Sequence, residues 1–109
     1  MTPTPKDRAL AFLLGEHGLY PAEAEEALAV AAPVLAEALT RLARTADGQN
    51  ARACADVAHG LKGNLLNLGL AELAQTAEQA CAAARQGDLD PARRAAVTLR
   101  QALATLLPG

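Results

Sequence analysis

A histidine, a lysine and a glycine share one helical patch in the stretch Ala58-His59-Gly60-Leu61-Lys62-Gly63. On a helix, the positions three and four residues after a histidine are its surface neighbours. Imidazole is largely neutral at neutral pH and offers a lone pair to an electrophile. An ammonium beside it offsets negative charge on the group it attacks, and a position without a side chain leaves room for a second molecule. Phosphoryl transfer uses all three, because it depends on positioning and charge stabilisation more than on covalent machinery.

The helix that carries this patch divides cleanly. With 3.6 residues per turn, Val57, Leu68 and Leu61 fall within about 20° of the point opposite His59, and Cys54 and Leu65 lie close by. The core stripe therefore faces away from the imidazole, which predicts a surface histidine rather than a packed one. Gly60 and Gly63 each cost a helix roughly 1 kcal/mol relative to alanine. The chain contains 28 alanines, so glycine at Gly63 reads as a cleared flank of the imidazole. Gly60 has no equally specific explanation. Leu66, two turns on and almost in line with His59, is an expected exposed apolar contact.

The rest of the chain reads as helices that position this patch. Alanine and leucine dominate, Phe12 and Tyr20 are the only aromatic residues, and β-branched residues are sparse, which favours an all-α fold. Residues 1–5 read as a loose tail, and a short helix follows from about Pro5 to Glu16. A second starts at Pro21, with Glu23, Glu25 and Glu26 complementing the dipole at its start and Arg41 and Arg44 at its end. Its apolar line is Ala24, Leu28, Ala31, Leu35, Leu39 and Leu42, and Pro33 is expected to kink it. Asp47-Gly48 closes it. The third helix is expected over about Gln49–Leu68, the fourth over Leu70–Gln86 with Gly87 as C-cap, and the fifth from Asp90-Pro91 to Pro108. Short turns between long helices predict an antiparallel up-down-up-down four-helix bundle with a short additional N-terminal helix, a single domain over residues 1–109.

Composition narrows the function classes. A net charge of −2, no basic run and no aromatic platform argue against nucleic acid as a partner. No apolar stretch reaches membrane-spanning length, and Ala9–Leu14 is too short for a signal peptide. Cys54 and Cys81, both in helical patterns, are expected as buried reduced thiols of a cytoplasmic protein. Metal-ligand spacing is absent, as are a glycine-rich phosphate loop and a nucleotide-supporting sheet. His17, between Gly15 and Gly18, reads as an exposed turn histidine; Glu72 and Glu78 read as solvated helix surface. Met1 and Pro108-Gly109 favour a stand-alone protein.

The pairs Ala58-His59, Lys62-Gly63 and Leu68-Gly69, with Leu61 between the first two, resemble the motif of the histidine-containing phosphotransfer (HPt) domains of two-component phosphorelays. The helix layout, including the helix that contains Pro33, is similar over most of the chain. The resemblance implies that His59 accepts a phosphoryl group from an aspartyl phosphate on a receiver domain and passes it to another receiver aspartate. Lys62 would stabilise charge and Gly63 would give steric clearance. The protein would be a phosphotransfer carrier without ATP-dependent kinase activity. It would bind no cofactor or metal of its own, with Mg²⁺ supplied by the partner receiver. Its implied partners are response-regulator receiver domains and a hybrid sensor kinase, docking around Arg52, Ala55, Asp56 and Leu66, and it is expected to be monomeric. Family members usually carry small residues where this chain has Asn64-Leu65-Leu66. Leu66 therefore leaves a second reading open, an HPt-like module that binds a receiver or kinase without being phosphorylated.

Overall fold

The computed structural model describes residues 2–108; Met1 and Gly109, the outermost residues of the expected tail and C-terminal stop, lie outside it. The described residues form five helices and no strands: α1 (Pro5–Gly15), α2 (Pro21–Asp47), α3 (Ala51–Asn67), α4 (Ala71–Arg85) and α5 (Asp90–Ala102). α2, α3, α4 and α5 form a closed ring in which each packs on two neighbours, and α1 lies against α2.

Local chemistry explains where each helix begins. The Thr4 hydroxyl accepts from the Asp7 N–H and the Asp7 carboxylate accepts from the Thr4 N–H, both at 3.1 Å. This reciprocal cap pins residues 4 and 5, which the sequence places in a loose tail. At α2 only half of such a box forms, the Tyr20 N–H donating to Glu23 at 2.9 Å. α2 then runs unbroken through Pro33, whose ring is exposed and whose missing N–H faces no buried partner. The Asn50 side chain caps α3 by accepting from the Ala53 N–H at 3.1 Å, so that helix starts at Ala51 rather than Gln49.

Three helices end in the same left-handed turn, in which the residue after the left-handed one donates to the carbonyl five positions back. Asn50 donates to Thr45, Leu70 to Leu65 and Asp88 to Ala83, each at 3.0 Å. The left-handed residue is Gly69 (φ 73°) in the second and Gly87 (φ 82°) in the third. In the first it is Gln49 (φ 56°), directly after the Asp47-Gly48 pair that closes α2 as expected. α5 stops at Ala102, short of the expected Pro108, because the Ala104 and Leu106 N–H groups turn to carbonyls three residues back. Leu103 and Leu106 stay buried within those turns.

The core is leucine and alanine. Leu35, Leu39, Leu42, Leu61, Leu65, Leu99 and Leu103 are fully buried, and no polar or charged residue is buried among the described residues. Between Leu28 and Leu35 on α2 the buried alanine is Ala32, and Ala31 is only partly covered, a one-residue shift from the expected line. Alanines at 55, 58, 74, 77, 80 and 84 on α3 and α4 are buried, and such small side chains let neighbouring helix backbones approach closely. Cys54 and Cys81 are buried free thiols, and burial pushes the Cys54 thiol above its usual value.

Polar staples tie the ring at its edge. The Arg93 guanidinium donates to Asp90 at 2.7 Å, to the Ala46 carbonyl at 2.8 Å and to Asp47 at 3.3 Å, joining α5 to the C-terminal end of α2. Further along, Arg100 donates to the Thr40 hydroxyl at 3.2 Å.

Candidate functional site

α3 positions the site because its apolar stripe has only one way to be buried. Cys54, Val57, Leu61 and Leu65 all face the bundle interior, so the opposite side of the helix is left to solvent. His59 sits on that side, exposed. Leu66 is on the same side, 45% exposed, an apolar side chain standing clear of the core.

The two glycines beside His59 have open space around them. A Cβ built at Gly60 or at Gly63 meets nothing within 4 Å. Neither glycine is required by the packing of this bundle, and neither has the left-handed backbone that Gly69 has. Gly63 leaves one flank of His59 bare. Gly60 belongs to a different surface: with Val34, Glu37, Arg41, Asp56 and Asn64 it lines an open groove of about 310 Å³ between α2 and α3. That placement gives the glycine the sequence leaves unexplained a surface, the wall of a shallow groove on the α2 side of α3. Because both sites are mid-helix and unobstructed, Gly60→Ala and Gly63→Ala should each raise stability by about 0.5–1 kcal/mol, read as a higher urea midpoint at unchanged slope. A fall in the midpoint would mean that the glycines meet a constraint inside the fold.

Lys62, the expected charge-stabilising cation, is ion-paired to the neighbouring helix. Its Nζ lies 2.9 Å from Oε2 of Glu78 on α4, and both side chains are about one-third exposed (34% and 35%). The hydrogen bond from Lys62, followed by the ammonium's charge, holds the Glu78 carboxyl below the usual carboxylate range; Arg85 and His59 lower it further against a partial opposing effect of burial. Glu78, read from sequence as solvated surface, thus faces the same patch as His59. Spacing along one helix cannot reveal a partner on the next, which is why this residue is missed.

The expected docking residues divide. Arg52 and Asp56 are exposed and, with Ala84 and Arg85, border a shallow groove of about 390 Å³ at the N-terminal end of α3. Ala55 is 6% exposed and forms part of that groove's floor. It lies one turn before His59 on the same side of α3 but is covered where α4 packs closely, so it offers little surface to a partner. Leu66 lies at the other end of the patch.

Phe12 of α1 reaches the turn after α3. Its ring packs on Gly69, where a Cβ would come within 2.3–2.7 Å of Phe12 carbons. His17 stacks edge-on against Phe12 at 5.3 Å between ring centres, an exposed histidine with an aromatic neighbour and no carboxylate. Among the described residues no group of three or more His, Cys, Asp or Glu side chains could hold a metal ion, and no helix is long and apolar enough to cross a membrane. Another open groove, about 430 Å³ between α2 and α5, is lined by Leu39, Ala43, Arg93, Val97 and Arg100 and includes none of the residues around His59.

Comparison with known proteins agrees with this geometry. A search of curated proteins and a search of solved structures each return no match. The family model described as the Hpt domain matches residues 22–108, which spans α2 to the C-terminal turns and includes His59, Lys62, Gly63 and Glu78. Its members take part in phosphotransfer within two-component signalling, alongside receiver domains and kinases. With the match covering most of the chain, this protein belongs to the Hpt domain family.

Proposed function

We propose that this chain is a phosphorelay carrier that takes a phosphoryl group onto His59 from a receiver aspartyl phosphate and delivers it to a second receiver aspartate. The observation that carries the reading is the exposed His59 opposite the core stripe of α3, with open space at Gly63 and Lys62 on the same surface. In the accepting step a ring nitrogen of His59 attacks phosphorus. The N–P bond forms as the aspartyl O–P bond breaks, and the donor aspartate leaves as a carboxylate. The second ring nitrogen keeps its proton or yields it to water. The Mg²⁺ for this transfer belongs to the receiver's acidic pocket, and the chain itself carries no ATP-dependent kinase activity.

The scaffold in this reading is an antiparallel up-down-up-down bundle of α2–α5 with α1 as an appendage. Two pairings support that sense. Asp47 meets Arg93 while Thr40 meets Arg100, so α2 and α5 run in opposite directions. Lys62 meets Glu78 while Ala55 and Arg52 share a groove with Ala84 and Arg85, which is the same relation between α3 and α4. The docking face runs from Arg52 and Asp56 past His59 to Leu66, with the Gly60 groove on its α2 side. Charges on α3 and α4 are balanced, so apolar contact and shape set partner choice more than long-range steering does. The carrier acts as a monomer in the cytoplasm, with response-regulator receivers and a hybrid sensor kinase as partners.

One observation favours a second reading, a module that binds a receiver without being phosphorylated. Leu66 is 45% exposed beside His59, where a bulky apolar side chain meets any incoming receiver loop. Incubation with a phosphorylated receiver and Mg²⁺ separates the two. The carrier reading expects acid-labile label on the wild-type chain; binding without label supports the second. Lys62→Ala should slow labelling by about 10-fold, the scale on which a single charge-stabilising contact of roughly 1.4 kcal/mol acts. Circular dichroism should be unchanged, because Lys62 lies outside the fully buried core.

A further inference from the structure

Resting on the phosphoryl-accepting role of His59, we propose that Glu78 is a positioning residue that holds Lys62 until a phosphoryl group on His59 competes for it, limiting how firmly His59 retains that group. Among the described residues Glu78 is the one carboxylate within ion-pair distance of Lys62, at 2.9 Å. It reaches across from α4, which packs closely on α3, so the pairing joins two helices. Both side chains are only about one-third exposed (34% and 35%), which reduces screening by solvent compared with a fully exposed pair.

Charge counting gives the consequence. Without phosphate, the Lys62 ammonium and the Glu78 carboxylate neutralise one another. A phosphoryl group adds about 1.5–2 negative charges, so one ammonium then faces two anionic claimants. Glu78 acts against the phosphorylated state twice, by withholding the ammonium and by placing a like charge near the phosphoryl oxygens. His59 and Arg85 are the other groups whose charge is felt at Glu78, and the more influential partner is Lys62. A relay intermediate gains from such a partner, because a carrier that held its phosphoryl group too tightly would not release it to the next receiver.

The test uses the whole protein and a small phosphoryl donor, phosphoramidate, so that receiver docking is not involved. Label at His59 is followed by mass spectrometry at alkaline pH, separately from any at His17. Glu78→Gln, which keeps the shape and removes the charge, should lengthen the lifetime of phosphorylated His59 about two- to fivefold, the range carried by partly exposed charge pairs. Lys62→Ala should shorten it. The double variant should gain less over Lys62→Ala than Glu78→Gln gains over wild type, because without Lys62 only the like-charge effect of Glu78 remains. Raised salt should shrink the difference between Glu78→Gln and wild type. An unchanged or shorter lifetime in Glu78→Gln overturns the proposal, as does an equal gain in the Lys62→Ala background or a His59 that phosphoramidate does not label. If phosphoramidate labels His59 but a phosphorylated receiver does not, the carrier reading fails while the lifetimes still decide the role of Glu78.

Discussion

His59→Gln should abolish acid-labile labelling by a phosphorylated receiver while leaving the fold and receiver binding intact. The expected loss is complete, because phosphoryl transfer needs a nucleophilic lone pair and the amide nitrogen of glutamine has none to offer. His59 is exposed, so the substitution removes no core contact. Exposed positions of this kind change stability by about 0.5 kcal/mol or less. Label transfer, circular dichroism and a binding titration on the same variant give three separate readouts. Labelling of the variant at the wild-type level would move the acceptor to another residue, and loss of helicity would mean that His59 is part of the core.

The second large effect is structural. Gly69→Ala should destabilise the domain by about 2–4 kcal/mol. Part of this is the left-handed backbone at φ 73°, which costs an alanine roughly 1–2 kcal/mol. The rest comes from Phe12, which a Cβ at this position would overlap at 2.3–2.7 Å. Moving the ring pulls α1 away from the turn after α3, and overpacking of this kind costs about 1–3 kcal/mol. For a domain of this size the thermal midpoint should fall by roughly 10–20 °C. The companion variant Phe12→Ala with Gly69→Ala should recover part of the loss, since it removes the ring contacts at 2.3 and 2.4 Å but keeps the residue-12 Cβ and the backbone cost. A thermal midpoint equal to wild type for Gly69→Ala would contradict the packing of α1 on this turn.

These two residues differ in how readable they are. His59 is legible from sequence because a single-helix wheel suffices: the direction of the imidazole follows from the positions of Val57, Leu61 and Leu65 on the same helix. Gly69 is legible as a helix stop, but the ring of Phe12 on top of it is a contact between residues 57 positions apart, and local spacing carries no trace of it. Glu78 is hidden for the same reason. Its pairing with Lys62 depends on how α4 lies on α3, and α4 on its own presents Glu78 as an ordinary polar position.

The helix boundaries show a related pattern. Apolar periodicity locates all five helices, since the stripe of each is a property of its own residues. The ends depend on hydrogen bonds that compete over one or two positions. Asn50 wins the start of α3 from Gln49 through its cap, and Gln49 takes the left-handed position after the Gly48 cap. The last turns after Ala102 tighten although Leu103 and Leu106 keep their buried positions. Ala55, an expected docking contact, lies on the groove floor, because a small side chain on the His59 side of α3 is covered or exposed according to how closely the neighbouring helix approaches.

The central claim is that His59 receives the phosphoryl group. The most direct measurement is to incubate wild-type protein with a phosphorylated receiver and Mg²⁺ and locate the phosphoryl group on the chain by mass spectrometry at alkaline pH. The predicted result is a single modified position, His59, that empties when a second, unphosphorylated receiver is added. A phosphoryl group found at His17 or another residue, or an unmodified chain beside a receiver that retains its phosphate, would contradict the account.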